Sequence, residues 1–151
     1  MTIMEETKKE NNRVSGAGFV VFRKDTLLSS SPLMLALVRD DDQLDIPKGT
    51  IDKGESSLGA AKRECFEECS IMLEDDELLF GGSSFLYGPL EVFCAATDKI
   101  PSITRNPSTG IMEHVDHRWL TQEEFNESCL SYLSPAINHF YSSHSGPYNN
   151  T

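Results

Sequence analysis

The chain has 151 residues, enough for one domain with its own core, and its 38% hydrophobic and 25% charged residues are ordinary for a globular protein. With 13 basic against 24 acidic residues its formal net charge is −11, which disfavours nucleic acid backbones and anionic membranes as partners. No apolar run approaches the roughly 20 residues of a membrane span. The polar opening MTIMEETKKENN lacks an apolar h-region, and Cys65, Cys69, Cys94 and Cys129 form no CxxC pair or dense framework. A cytoplasmic protein with free thiols is expected.

In chain order, residues 1–12 read as a disordered arm, 13–142 as a single α/β domain and 143–151 as a polar, flexible tail. Gly18 to Phe22 (GFVVF) and Leu33 to Val38 (LMLALV) are buried strands. The acidic run Asp40 to Asp45 reads as a solvated turn; with no Gly at its sixth and no Glu at its twelfth position it is not an EF-hand. It leads through Leu44 and Ile46 to Pro47-Lys48-Gly49. A helix is predicted over 56–69, capped by Ser56 or Ser57. Leu58, Ala61, Cys65 and Cys69 share its core face. Strands are predicted over 78–86 and 90–96, a loop over 99–112 and a strand over 114–120. Thr121, with Glu124 completing a capping box, starts a short helix. A last helix over 131–141 carries Leu133, Ile137 and Phe140 inward.

Chemistry concentrates in the 56–69 helix. Glu64 and Glu68 lie one turn apart with Glu67 beside them. Like charges this close give an isolated helix nothing, but hard oxygen donors on one face suit Mg²⁺ or Mn²⁺. Arg63 adjoins them and can grip a carboxylate in a bidentate pair, Glu55 being the obvious partner. Ions bound there would invert the local field of this acidic chain.

The segment Gly49 to Ile71, GTIDKGESSLGAAKRECFEECSI, resembles the Nudix box GX5EX7REUXEEXGU, where U is a bulky aliphatic residue. Gly49, Glu55, Arg63, Glu64, Glu67, Glu68 and Ile71 occupy its defined positions; Cys65 stands at an aliphatic position and Ser70 at the final glycine. Pro47-Lys48-Gly49, Tyr87 sixteen residues after the box, and Glu113-His114 followed by Trp119-Leu120 resemble elements of the diadenosine polyphosphate hydrolases of that family. An aromatic residue those relatives often carry before the PKG is replaced here by Leu44-Asp45-Ile46.

The resemblance implies the Nudix fold, an α/β/α sandwich around a mixed β-sheet, and hydrolysis of a phosphoanhydride in a small nucleotide substrate. It implies that Glu64, Glu67, Glu68 and the Gly49 carbonyl ligate Mg²⁺ or Mn²⁺, that Arg63 orients Glu64, and that Glu64 or Glu113 is the general base. Glu55 would support Arg63. Lys48 and His114 would meet phosphate and Tyr87 would stack on a base. His114 and His117, on opposite faces of a strand, should not form a metal pair. ADP-ribose, nucleoside triphosphates and diphosphoinositol polyphosphates are the alternative substrates. A non-catalytic binding module is the alternative class, and the intact glutamates speak against it.

Overall fold

β1 (Gly16–Arg23) is the spine of the molecule. Its alternation sends Ala17, Phe19 and Val21 to one face and Val20 and Phe22 to the other. All five are fully buried, so both faces of the sheet must be covered. In the computed structural model, which describes residues 14–105 and 109–149, β1 runs antiparallel to β2 (Met34–Arg39) and β4 (Lys48–Thr50) and parallel to β6 (Leu90–Thr97). β3 (Leu44–Asp45) and β7 (His114–Leu120) pair with β2, and β5 (Phe85–Tyr87) pairs with β6. The result is a mixed seven-stranded sheet. The arm expected at 1–12 lies outside the described residues. No helix among them is long and apolar enough to cross a membrane.

α1 (Ser57–Cys69) covers one face through Ala60, Ala61, Cys65 and Cys69, all fully buried. Leu58 packs only at the edge of that cluster. α2 (Gln122–Ser128) and α3 (Ser134–Asn149) cover the other face through Phe125, Ala136, Ile137 and Phe140. This is the α/β/α sandwich expected. Both predicted caps form. Ser56 Oγ accepts the Gly59 N–H at 3.0 Å, and Thr121 and Glu124 exchange bonds in a capping box. Ser70, at the box's glycine position, takes the left-handed conformation itself, with φ 64°.

Two stretches differ from expectation. The strand predicted over 78–86 forms only at its end, in β5; a 3₁₀ turn at Phe80–Gly82 interrupts it, another at Asp75–Glu77 precedes it, and Leu78 contributes a single bridge to Ala95. Phe80, Gly81 and Gly82 all adopt positive φ, which no strand accommodates. The last helix begins with a 3₁₀ turn at Ser131–Leu133 and continues through Asn149, so residues 143–149 extend the helix where a tail was expected. Tertiary anchors hold it: the Tyr141 hydroxyl donates to the Pro32 carbonyl, and His144 Nε2 donates to the Leu27 carbonyl.

Glu77 ties the turn before β5 to the end of β6. It accepts from Thr97 Oγ1 at 2.6 Å and Lys99 Nζ at 2.8 Å, and its side chain is only 12% exposed. Burial raises its pKa, but the Glu74 N–H and the bonds from Lys99 and Thr97 outweigh that and hold it below the usual value. A carboxyl depressed in the fold stabilises above its unfolded pKa, and that stability is lost as pH falls through the folded value. Glu77→Gln should therefore cost about 1.5–3 kcal/mol at pH 7. The gap to wild type should narrow below about pH 4, as urea unfolding at the two pH values will show.

Candidate active site

β4 brings Pro47-Lys48-Gly49 alongside β1, pairing Gly18 with Lys48 and Ala17 with Gly49. Two glycines allow the close approach. A Cβ on Gly18 would strike the Pro47 carbonyl and Lys48, and a Cβ on Gly49 would strike the Glu64 carboxylate. The box glycine is thus the floor on which a box glutamate rests. The Lys48 N–H donates to Glu68 Oε2 at 2.8 Å, fixing the other end of the carboxylate row.

Arg63 gathers that row. Its Nε and Nη2 grip both oxygens of Glu55 at 2.8 and 3.0 Å, Nη2 also reaches the Thr50 carbonyl at 2.9 Å, and Nη1 faces Glu64 at 3.0 Å and Glu67 at 3.2 Å. The predicted Arg63–Glu55 pair is present and bidentate. These carboxylates hold the guanidinium in its charged form, against the modest opposing effect of burial. Among the described residues Glu68 has no such guanidinium partner, only His114 Nδ1 at 4.0 Å. Burial, reinforced by Asp45, Glu113 and Glu64 and opposed by the Lys48 N–H, pushes its pKa up to about 10. Burial also raises Glu64, although Arg63 resists.

A small hollow beside the row is lined by Glu67, Glu68, Thr104, Glu113 and His114. The loop carrying Glu113 is tied to α1: the Thr104 hydroxyl donates to the Glu67 carbonyl, Ser70 Oγ donates to the Ser102 carbonyl, and the Ser102 N–H donates to the Cys69 carbonyl. A register shift between Val38 and Arg39 sets His114 opposite Arg39 at the start of β7. His117 lines a different hollow with Trp119 and Arg23, so the two histidines do stay apart.

Asp45 corrects the expectation of a solvated turn. It is 3% exposed. Its Oδ2 meets His114 Nε2 at 3.0 Å and Lys48 Nζ at 3.3 Å, and its Oδ1 accepts the Ile46 N–H. Burial opposes its charge, but His114 and Lys48 prevail and lower its pKa. Lys48 Nζ also lies 5.7 Å from the centre of the Tyr132 ring. With Gly49, Pro89 and Leu90, Lys48 and Tyr132 line an open groove of about 330 Å³, within the range of small-molecule sites. Tyr87, expected to stack on a base, stands 44% exposed on the β5–β6 hairpin and does not line this groove. Tyr132 was missed, yet it stands one position off the Leu133–Ile137–Phe140 core stripe, where an aromatic has no packing reason to be.

The donor set fits a divalent cation. Glu64, Glu67, Glu68 and Glu113 share one end of the molecule, with Arg63 against Glu64 and Glu67, and the buried Glu68 accepts the Lys48 N–H and has His114 Nδ1 4.0 Å away. An arrangement this costly is explained by an ion that supplies the missing charge.

The sequence matches the NUDIX domain over residues 12–135. The chain belongs to the NUDIX domain family. Family and fold make it a hydrolase acting on phosphoanhydride bonds. No curated protein matches the chain by sequence. Among solved structures it is similar to a binary complex of the C. elegans Ap4A hydrolase, at 21% identity and TM-score 0.64, over 87% of this chain and 98% of that one. It is similar to the E. coli dihydroneopterin triphosphate pyrophosphohydrolase at 22% identity and TM-score 0.60, over 83% and 92%. It is also similar to a Nudix hydrolase of M. smegmatis at 14% identity and TM-score 0.60, over 89% and 88%. At these identities the likeness is one of fold.

Proposed function

We propose that this Nudix protein is a Mg²⁺- or Mn²⁺-dependent pyrophosphohydrolase of nucleoside diphosphate-X substrates, with dinucleoside polyphosphates such as diadenosine tetraphosphate the preferred class. The observation that carries the reading is the carboxylate row gathered by Arg63 beside a groove that offers a lysine and an exposed aromatic ring. Glu64, Glu67, Glu68 and the Gly49 carbonyl would hold the ion. When bound, it polarises the diphosphate and lowers the pKa of a water.

The remaining work falls to the chain. Lys48, set by Asp45, presents a point charge to a substrate phosphate. Tyr132 offers its ring to a nucleobase on the same groove wall. Arg63 orients Glu64, which with Glu113 is one of two carboxylates placed to accept a proton from the attacking water.

The test is turnover with either ion on diadenosine polyphosphates, ADP-ribose, nucleoside triphosphates and diphosphoinositol polyphosphates, with products resolved. Diadenosine polyphosphates should give the highest kcat/KM. Preference for ADP-ribose or a triphosphate would overturn the substrate class, and no turnover on any would overturn the enzyme reading. Tyr132→Ala should raise KM for the dinucleotide about 10-fold or more, the usual worth of a base-stacking ring.

A further inference from the structure

His114 is buried, 2% exposed, in a position where a histidine needs a reason. Its Nε2 is engaged by Asp45 at 3.0 Å. An ionised carboxylate only accepts, so Nε2 carries the proton there and the neutral ring keeps its lone pair on Nδ1. Nδ1 turns the other way, toward Glu68 Oε1 at 4.0 Å. Glu68, Glu113 and His114 each offer one donor atom, and the three lie within 4.8 Å of one another. Two donors each about 2.1 Å from one ion lie at most about 4.2 Å apart, so the Nδ1–Oε1 distance already meets that limit. Glu113, exposed at the loop's edge, has room to swing in. A carboxylate fixing the far nitrogen of a histidine is the arrangement that orients a metal-bound imidazole.

We propose that His114 is a nitrogen ligand to the site's divalent ion, aimed by Asp45 as its positioning residue, and that the site prefers Mn²⁺ over Mg²⁺. The proposal rests on the reading that the carboxylate row binds a divalent ion, and adds a nitrogen donor to it. Imidazole suits transition ions, while Mg²⁺ favours oxygen donors and water. With Glu113 drawn to the ion, Glu64 is left as the proton acceptor. Asp45 also holds Lys48, so one buried carboxylate sets both the ion's nitrogen donor and the phosphate-facing cation.

The test is pulsed electron paramagnetic resonance of the Mn²⁺-loaded full chain, with Mn²⁺ and Mg²⁺ binding titrated in parallel. Wild type should show nitrogen-14 modulation typical of a directly bound imidazole, which His114→Gln removes while Mn²⁺ still binds. His114→Gln should weaken Mn²⁺ at least about tenfold and Mg²⁺ less than twofold, and Asp45→Asn should weaken Mn²⁺ by about 10- to 100-fold. Bound Mn²⁺ without nitrogen modulation in wild type would overturn the ligand and leave the carboxylate site standing. Modulation that survives in His114→Gln would also overturn it, by assigning the nitrogen elsewhere. No Mn²⁺ binding would overturn both readings. The wild-type spectrum decides the matter even where a variant fails to fold.

Discussion

Glu68→Gln should lower divalent-dependent kcat/KM by at least about 10²-fold, close to 3 kcal/mol of transition-state stabilisation. It should do so without loosening the fold. Glu68 is 7% exposed, and without a cation its carboxyl is driven toward the neutral form, which glutamine closely imitates. The amide can keep the 2.8 Å bond from the Lys48 N–H through its carbonyl oxygen. What it cannot supply is negative charge. Thermal unfolding in EDTA should match wild type within about 0.5 kcal/mol. The rise in Tm that divalent ions give wild type should shrink or vanish, since stabilisation by a ligand follows its affinity for the folded state. Full activity in a folded Glu68→Gln would refute its role as a ligand.

How much of this could be read from the chain depends on the range of the forces involved. The α1 carboxylates were legible because helical geometry alone places Glu64, Glu67 and Glu68 together, and Arg63 needs only local reach to find them. β1 and β2 were legible because their apolar runs are long and their ends punctuated. Residues 78–86 read equally apolar, but Gly81-Gly82 lets the chain turn, and no periodicity reports that choice. Asp45 read as one more charge in an acidic turn. Only the fold carries His114 from 69 residues away to meet it. Tyr87 was placed by analogy with relatives, whereas Tyr132 reaches Lys48 through the 3₁₀ turn before α3, a tertiary fact. Local spacing therefore exposed the carboxylate row, and the residues around the open groove needed the fold.

Arg63→Ala offers the sharpest view of how that row is balanced. Arg63 makes ion pairs with Glu55, Glu64 and Glu67 at 2.8, 3.0 and 3.2 Å and bonds the Thr50 carbonyl, with its side chain only 28% exposed. Removing it leaves these three carboxylates, and Asp52 at 3.5 Å, without their cation and a carbonyl without its donor. Losing one partner of a fully buried pair costs about 3–5 kcal/mol; partial exposure lowers the expectation to about 2–3 kcal/mol in EDTA. Divalent ions then have more repulsion to relieve, so the Tm rise between EDTA and saturating Mn²⁺ should be larger in the variant than in wild type. Activity should not recover with stability, because an ion restores charge but not the orientation of Glu64. Arg63→Lys should return part of the stability and little of the turnover, since an ammonium cannot reproduce the fork that spans Glu55 while facing Glu64. A change below about 0.5 kcal/mol for Arg63→Ala, with no enlarged response to Mn²⁺, would reduce Arg63 to a solvated surface charge.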